Sequence, residues 1–263
     1  MGALSYTLAP PLGHRANLGL VVLRSDETLE ADFRRVLPAE GVALYVTRIP
    51  SSTEVSSETL AAMEQHISGA AGLLPPRVAF DCIGYGCTSA SALIGTEQVA
   101  TLVRTGRMTR AVTDPLSALV AACRALGLRR LGLVTPYVAT VSEGLRGALK
   151  GQGIATPVLA SFEEAEETRV ARIDAPSLAG AVRHVAGQGG VDAVFLSCTN
   201  LRTFDVIAPL EAELGLPVLS SNQVLIWHMF ETAGIAERRS DLGALWTRYG
   251  LGAEVSPHGC DSL

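Results

Sequence analysis

Short runs of continuously apolar residues alternate along the chain with longer stretches whose apolar positions recur every three or four residues. The runs are LGLVVL (18–23), VALYVTRI (42–49), VAFDCIG (78–84), RAV (110–112), LGLVT (131–135), TPVLASF (156–162), AVFLSC (193–198) and PVLS (217–220). Strands buried on both faces of a parallel sheet read as unbroken apolar runs of this kind. The intervening pattern predicts helices near 27–37, 56–71, 89–104, 115–126, 138–151, 176–188, 203–214 and 222–233. Asp114-Pro115 supplies an N-cap and a first turn, and Gly127 and Gly215 supply stops. Eight strand–helix units predict an α/β fold with parallel strands. Eight units also fit a closed (β/α)₈ barrel.

An internal repeat favours two halves over one barrel. Shifting the chain by 111 positions lays LVVLRSDETLEAD on LGLVTPYVATVSE, Asp26 on Tyr137 and Cys87 on Cys198 (198 − 87 = 111). The spacing is 61 in each half (87 − 26 and 198 − 137). The expected architecture is two similar domains, each a four-stranded parallel sheet flanked by helices, related by a pseudo-twofold repeat. Residues 15–113 with 222–250 are expected to form the first domain and 114–221 the second. Residues 1–14 and 251–263 are expected to be terminal arms.

Composition narrows the function. A formal net charge of −5 with scattered Lys and Arg gives no concentrated basic surface for nucleic acid. No apolar run is long enough to span a membrane. The start MGALSYTLAPPLGHR lacks the charged and apolar regions of a signal peptide, and Tyr6 stands where a myristoylation motif has Ser or Thr. Five Cys without scaffold spacing then imply reduced thiols and a cytoplasmic protein. Without Cys-x-x-Cys, His-Glu-x-x-His or a Gly-rich dinucleotide fingerprint, no metal or nucleotide cofactor is expected. Gly84 and Gly86 in GYG are expected to let the backbone approach a ligand.

Cys87 and Cys198 both follow a predicted strand and open a predicted helix, where ligands bind in open parallel sheets. Each precedes a Thr and a small polar residue: Thr88 and Ser89, Thr199 and Asn200. Free N–H groups at such a helix start bind a carboxylate and lower a thiol's pKa. One strand-end Cys is more often a small buried apolar residue; two at matching repeat positions point to function. Cys82, Cys123 and Cys260 have no repeat partner and read as structural. Asp26 reads equally as a helix cap or a cleft residue. Tyr137 offers a phenol donor, and Ser25, Thr113, Ser221 and Asn222 complete a possible polar lining. His228 beside Trp227 reads as a packing residue, His66 and His184 as helix-surface residues, and His14 and His258 as arm residues. Two thiols facing one small acid from opposite sides suit proton removal or addition at carbon by one thiol and proton delivery by the other. That chemistry needs no cofactor.

The motifs GYGCTSAS and FLSCTNLR, with SSNQVLIWH near the end, resemble the aspartate/glutamate racemase superfamily. The similarity is greatest to its maleate cis-trans isomerase and arylmalonate decarboxylase branch. VVLRSDETLEADFRRVLP and ARIDAP are especially similar to ectoine-utilisation proteins of that branch. The resemblance spans about residues 17–235. It implies two α/β domains around one active site, a homodimer, a small carboxylic acid substrate, and an isomerase or racemase reaction. It implies that Cys87 adds to a double bond, that Cys198 is the acid/base, and that Tyr137 is the cleft tyrosine. Arylmalonate decarboxylases keep only the second Cys, which makes decarboxylation the alternative, with a non-catalytic acid-binding protein as a third reading. One position departs from the maleate isomerase pattern: the asparagine that contacts a substrate carboxylate is here Asp26, which suits an ammonium or amide N–H better than a second carboxylate.

Overall fold

The apolar runs assemble into two separate four-stranded sheets. The computed structural model describes residues 3–248, so His258, Cys260 and the expected arm at 251–263 lie outside it. The first half contains β1 (Ala16–Leu23), α1 (Leu29–Val36), β2 (Val42–Ile49), α2 (Ser57–Ala62), α3 (Glu64–Gly72), β3 (Phe80–Gly86), α4 (Thr88–Ile94), α5 (Thr96–Gly106), β4 (Thr109–Thr113) and α6 (Pro115–Leu126). The second contains β5 (Arg130–Thr135), α7 (Ala139–Gly151), β6 (Ala155–Ser161), α8 (Glu167–Val170), α9 (Ala175–Gly187), β7 (Ala193–Leu196), α10 (Phe204–Leu214), β8 (Val218–Ser220) and α11 (Ser221–Ala233). A 3₁₀ turn at Ser240–Leu242 and α12 (Gly243–Arg248) follow. The strand orders are β2-β1-β3-β4 and β6-β5-β7-β8, and every pairing is parallel. The two orders match strand for strand, as the repeat predicts, and exclude the closed barrel.

Helices cover both faces of each sheet, which is why the central strands are apolar throughout. In β1 all residues from Leu18 to Leu23 are buried, and β7 is buried along its length. α3 and α5 pack together beside β2 and β4, while α9 lies on β5, β6 and β7. α11, which follows the last strand of the second sheet, packs on β1, β3 and β4 of the first and on α6. The predicted caps are present. Asp114 Oδ1 accepts from the Leu116 and Ser117 N–H groups at 2.9 and 3.1 Å, with Pro115 behind it. Gly127 and Gly215 stop their helices at φ +71° and +66°.

Four expectations change. The helix at 56–71 is two helices meeting at Met63, and that at 89–104 is broken at Gly95, whose φ of +94° cannot continue a helix. Gly84 and Gly86 serve packing rather than ligand approach. A Cβ on Gly84 would meet Met229 Sδ at 2.5 Å, and one on Gly86 would meet Leu29 Cδ2 at 2.5 Å. The strand β7 ends at Leu196, so Cys198 stands just beyond it.

Asp32 on α1 is buried and accepts from Asn222 Nδ2 on α11 at 2.7 Å. Burial pushes its carboxyl up to about 7 from 3.8, with the Asn222 hydrogen bond opposing. The folded state therefore holds this proton where the unfolded chain has released it. The stability this contributes is full below about pH 4 and is lost as pH rises through about 7. Asp32→Asn is expected to reduce the fall in Tm between those limits, read by thermal melts across that range.

Candidate active site

The chain ends β3 and β7 at the seam between the halves, and one Cys-Thr motif follows each strand. Cys87 is the N-cap of α4 with extended backbone, and its Sγ accepts from the Ala90 N–H at 3.4 Å with Ser89 Oγ at 3.7 Å. Cys198 has a φ of +151°, in a region that side chains other than glycine rarely occupy. Such a conformation costs about 1–3 kcal/mol and persists only where its surroundings enforce it. The enforcing bonds are visible: the Cys198 N–H donates to Ser221 Oγ at 3.0 Å, and the Asn200 N–H donates to Cys198 Sγ at 3.4 Å. Ser221 Oγ also lies 2.8 Å from Thr88 Oγ1. The first residue of α11 thus ties both motifs together.

The motif residues reach across the seam. Thr199 Oγ1 donates to the Gly86 carbonyl at 3.3 Å. Asn200 Oδ1 accepts from the Glu27 N–H at 2.8 Å, and its carbonyl accepts from Thr28 Oγ1 at 3.0 Å. Its Nδ2 donates to Glu167 Oε2 at 2.9 Å and to the Glu167 carbonyl at 3.0 Å. Asp26 does one of the two things expected of it openly: Oδ1 accepts from the Thr28 and Leu29 N–H groups at 2.9 and 2.8 Å and so holds the start of α1. Its Oδ2 is buried without a hydrogen-bond partner among the described residues. The Thr199 hydroxyl is close to this carboxyl, but its proton goes to Gly86. The Tyr137 phenol is buried beside Ser197 and Cys198.

Ser25 departs from expectation. Its hydroxyl pairs with Ser51 Oγ at 3.1 Å, and only its carbonyl faces Asn200, with Nδ2 at 3.5 Å. His228 packs as expected, stacked on Trp227 with Nδ1 2.7 Å from Thr113 Oγ1. Glu167 was not foreseen. It lies in the acidic run EEAEE (163–167), which reads as a solvated loop, yet it is only 6% exposed. No periodicity or motif in the sequence marks it. It is pinned from outside by pairing of the loops that follow β2 and β6: Val55 N–H donates to the Ala165 carbonyl and Glu167 N–H to the Thr53 carbonyl, both at 3.0 Å.

This site is closed. Cys87 is 4% exposed, Cys198 6%, Tyr137 2% and Asp26 4%. A cavity of about 560 Å³ lined by Leu116, Arg124, Gln152 and His228 contains neither thiol. Burial reverses the expected thiolate character. It pushes the Cys87 thiol up to about 12, against the Ala90 and Ser89 hydrogen bonds, with the charges of Glu167 and Asp26 pushing further upward. Burial and then the Glu167 charge raise Cys198 well above its usual value, against the Asn200 N–H and the Tyr137 phenol. Asp26 and Glu167 are themselves raised by burial. A helix N-terminus cannot outweigh the loss of water around the sulfur here. Among the described residues no His, Cys, Asp and Glu side chains gather as a metal site.

Fold and seam define the class: a racemase-type α/β protein of two like halves, each supplying a strand-end cysteine. The family profile described as arylmalonate decarboxylase (Amdase) matches residues 36–246, and the chain belongs to that family. A maleate isomerase of Nocardia farcinica is 30% identical over 219 residues, covering 78% of this chain and 84% of that protein. A cysteine-to-serine variant of N. farcinica maleate cis-trans isomerase, solved with a covalently bound succinylcysteine intermediate, superposes with a TM-score of 0.74. It is 27% identical and covers 84% of this chain and 94% of its own. An alanine variant of Pseudomonas putida S16 maleate isomerase, solved with maleate, shares the fold at a TM-score of 0.81. It is 22% identical and covers 89% and 98% of the two chains.

The free protein should hold both thiols protonated at neutral pH. The thiolate ultraviolet absorbance of the wild type minus that of the Cys87→Ser/Cys198→Ser double variant is expected to rise only above about pH 9. A component titrating below about pH 8 would contradict the burial account.

Proposed function

We propose that this protein is a cofactor-independent isomerase of a small carboxylic acid, with Cys87 and Cys198 acting on opposite faces of the substrate. One observation carries this: two buried thiols, one from each half, stand at equivalent strand ends and are tied to one another through Ser221. The relative's succinylcysteine supplies the form of the step. On an unsaturated acid, Cys87 Sγ bonds to one carbon of the double bond, and the π pair moves to the neighbouring carbon and its carboxylate. Cys198 gives its proton to that carbon and takes up the proton that Cys87 releases. Rotation about the new single bond and the reverse sequence break the C–S bond and return the other geometric isomer. On a saturated acid the same pair racemises. One thiol first loses its proton to solvent as the substrate binds; that thiolate takes the α-proton, the electron pair enters the carboxylate as an enediolate, and the other thiol protonates the opposite face, leaving the thiolate on the second sulfur.

Tyr137, beside Cys198, is proposed to hydrogen-bond the substrate or the developing oxyanion. Thr88, Ser89, Thr199 and Asn200, at the two strand ends, are proposed to receive the carboxylate. Domains at 15–113 with 222–250 and at 114–221 are proposed to flank the cleft. Similarity to ectoine-utilisation proteins supports a place in ectoine degradation, as a cytoplasmic homodimer. Decarboxylation is secondary, because Cys87 occupies the position that arylmalonate decarboxylases leave without a thiol.

A heavy-water panel of dicarboxylic, amino and N-acyl amino acids, followed by NMR, tests this. Deuterium uptake at an α-carbon or cis-trans conversion is expected for at least one member. Silence across the panel together with CO₂ release from an arylmalonate would move the protein to decarboxylation.

A further inference from the structure

Deepening the isomerase reading on which it rests, we infer that the substrate of this site carries a protonated nitrogen as well as a carboxylate, and that Asp26 and Glu167 receive that nitrogen, one carboxylate from each half. The two side chains are 4% and 6% exposed. Asp26 Oδ2 has no partner among the described residues, and Glu167 Oε2 takes one neutral amide N–H, from Asn200. Among the described residues neither carboxyl has a salt bridge. The Arg48 charge lowers Asp26, but its guanidinium donates to the carbonyls of Leu23, Arg24 and Asp26 and to Glu30 Oε1 rather than to the Asp26 carboxyl. Asn200 joins the two places, taking the Glu27 N–H next to Asp26 and giving its Nδ2 to Glu167; the Asp26 charge raises Glu167, and both charges raise Cys87.

A buried carboxyl without a cation stays protonated or repels further negative charge. A dicarboxylate brings two negative charges to a wall that already holds two acidic groups. An amino acid brings one ammonium, whose three N–H donors can use the free oxygen of Asp26 and the remaining acceptor capacity of Glu167. The same cation offsets the negative charge that helps to keep both thiols protonated, so its binding would prepare the sulfur for reaction. Discrimination then comes from unpaired charge: the wrong substrate leaves two carboxyls unanswered, and the right one satisfies them.

The test separates binding from turnover. The Cys87→Ser/Cys198→Ser protein performs no thiol chemistry, so ligand affinity can be read on it by calorimetry whatever the reaction proves to be. The probes are alanine, aspartate and 4-aminobutyrate against maleate and succinate. At least one amine-bearing acid is expected to bind about tenfold more tightly than either amine-free dicarboxylate. Adding Asp26→Asn and Glu167→Gln should abolish that preference. Maleate or succinate binding as well as or better than every amine-bearing acid would overturn the proposal. So would a preference untouched by the Asn/Gln pair, or no detectable binding by any amine-bearing probe. Failure of the isomerase reading is registered elsewhere, as absence of exchange or conversion by the wild-type enzyme.

Discussion

One side chain, Asn200, holds the geometry on which the site depends. Its amide oxygen takes the Glu27 N–H of the first half, and its amide nitrogen reaches Glu167 of the second. Its carbonyl is claimed by Thr28, and its own N–H is directed at Cys198 Sγ. A residue two positions from a thiol therefore sets the distance between the halves, the entry of α1 and the placement of a buried acid. Ser221 performs the matching task for Thr88 and the strained Cys198 backbone. Because these contacts join both motifs and both halves, the two strand ends are held as a unit rather than as two loops.

Closure of that unit decides its electrostatics. Removing water from two thiols, a phenol and two carboxyls disfavours every charged form at once. Enclosure thus raises the pKa of every acidic group in the site. The charge that arrives with the substrate then shifts which of these groups ionise. Reactivity and selectivity are then set by the same event, the replacement of water by a ligand of matching charge.

Much of this was legible in the sequence because it is periodic. Buried parallel strands leave continuous apolar runs, and a duplicated half leaves a fixed offset, so two sheets and the pairing of Cys87 with Cys198 follow from counting. Caps at Asp114, Gly127 and Gly215 were legible because one residue type suits each local geometry. Three things were not. The thiol pKa depends on enclosure, which a helix-start argument cannot measure. Ser25 sits at the right strand end but turns to Ser51, a choice made by the neighbouring loop. Glu167 is hidden in a run of four glutamates. Only the pairing of distant loops takes one of them out of water.

The central claim is that both thiols act in one turnover. Its most direct measurement is the rate of isomerisation or racemisation by Cys87→Ser and Cys198→Ser, each checked for retained fold and ligand affinity. The account predicts that either substitution alone lowers turnover by about 10²–10⁴-fold while binding is preserved. Undiminished turnover by Cys87→Ser would contradict it, because a single cysteine would then suffice.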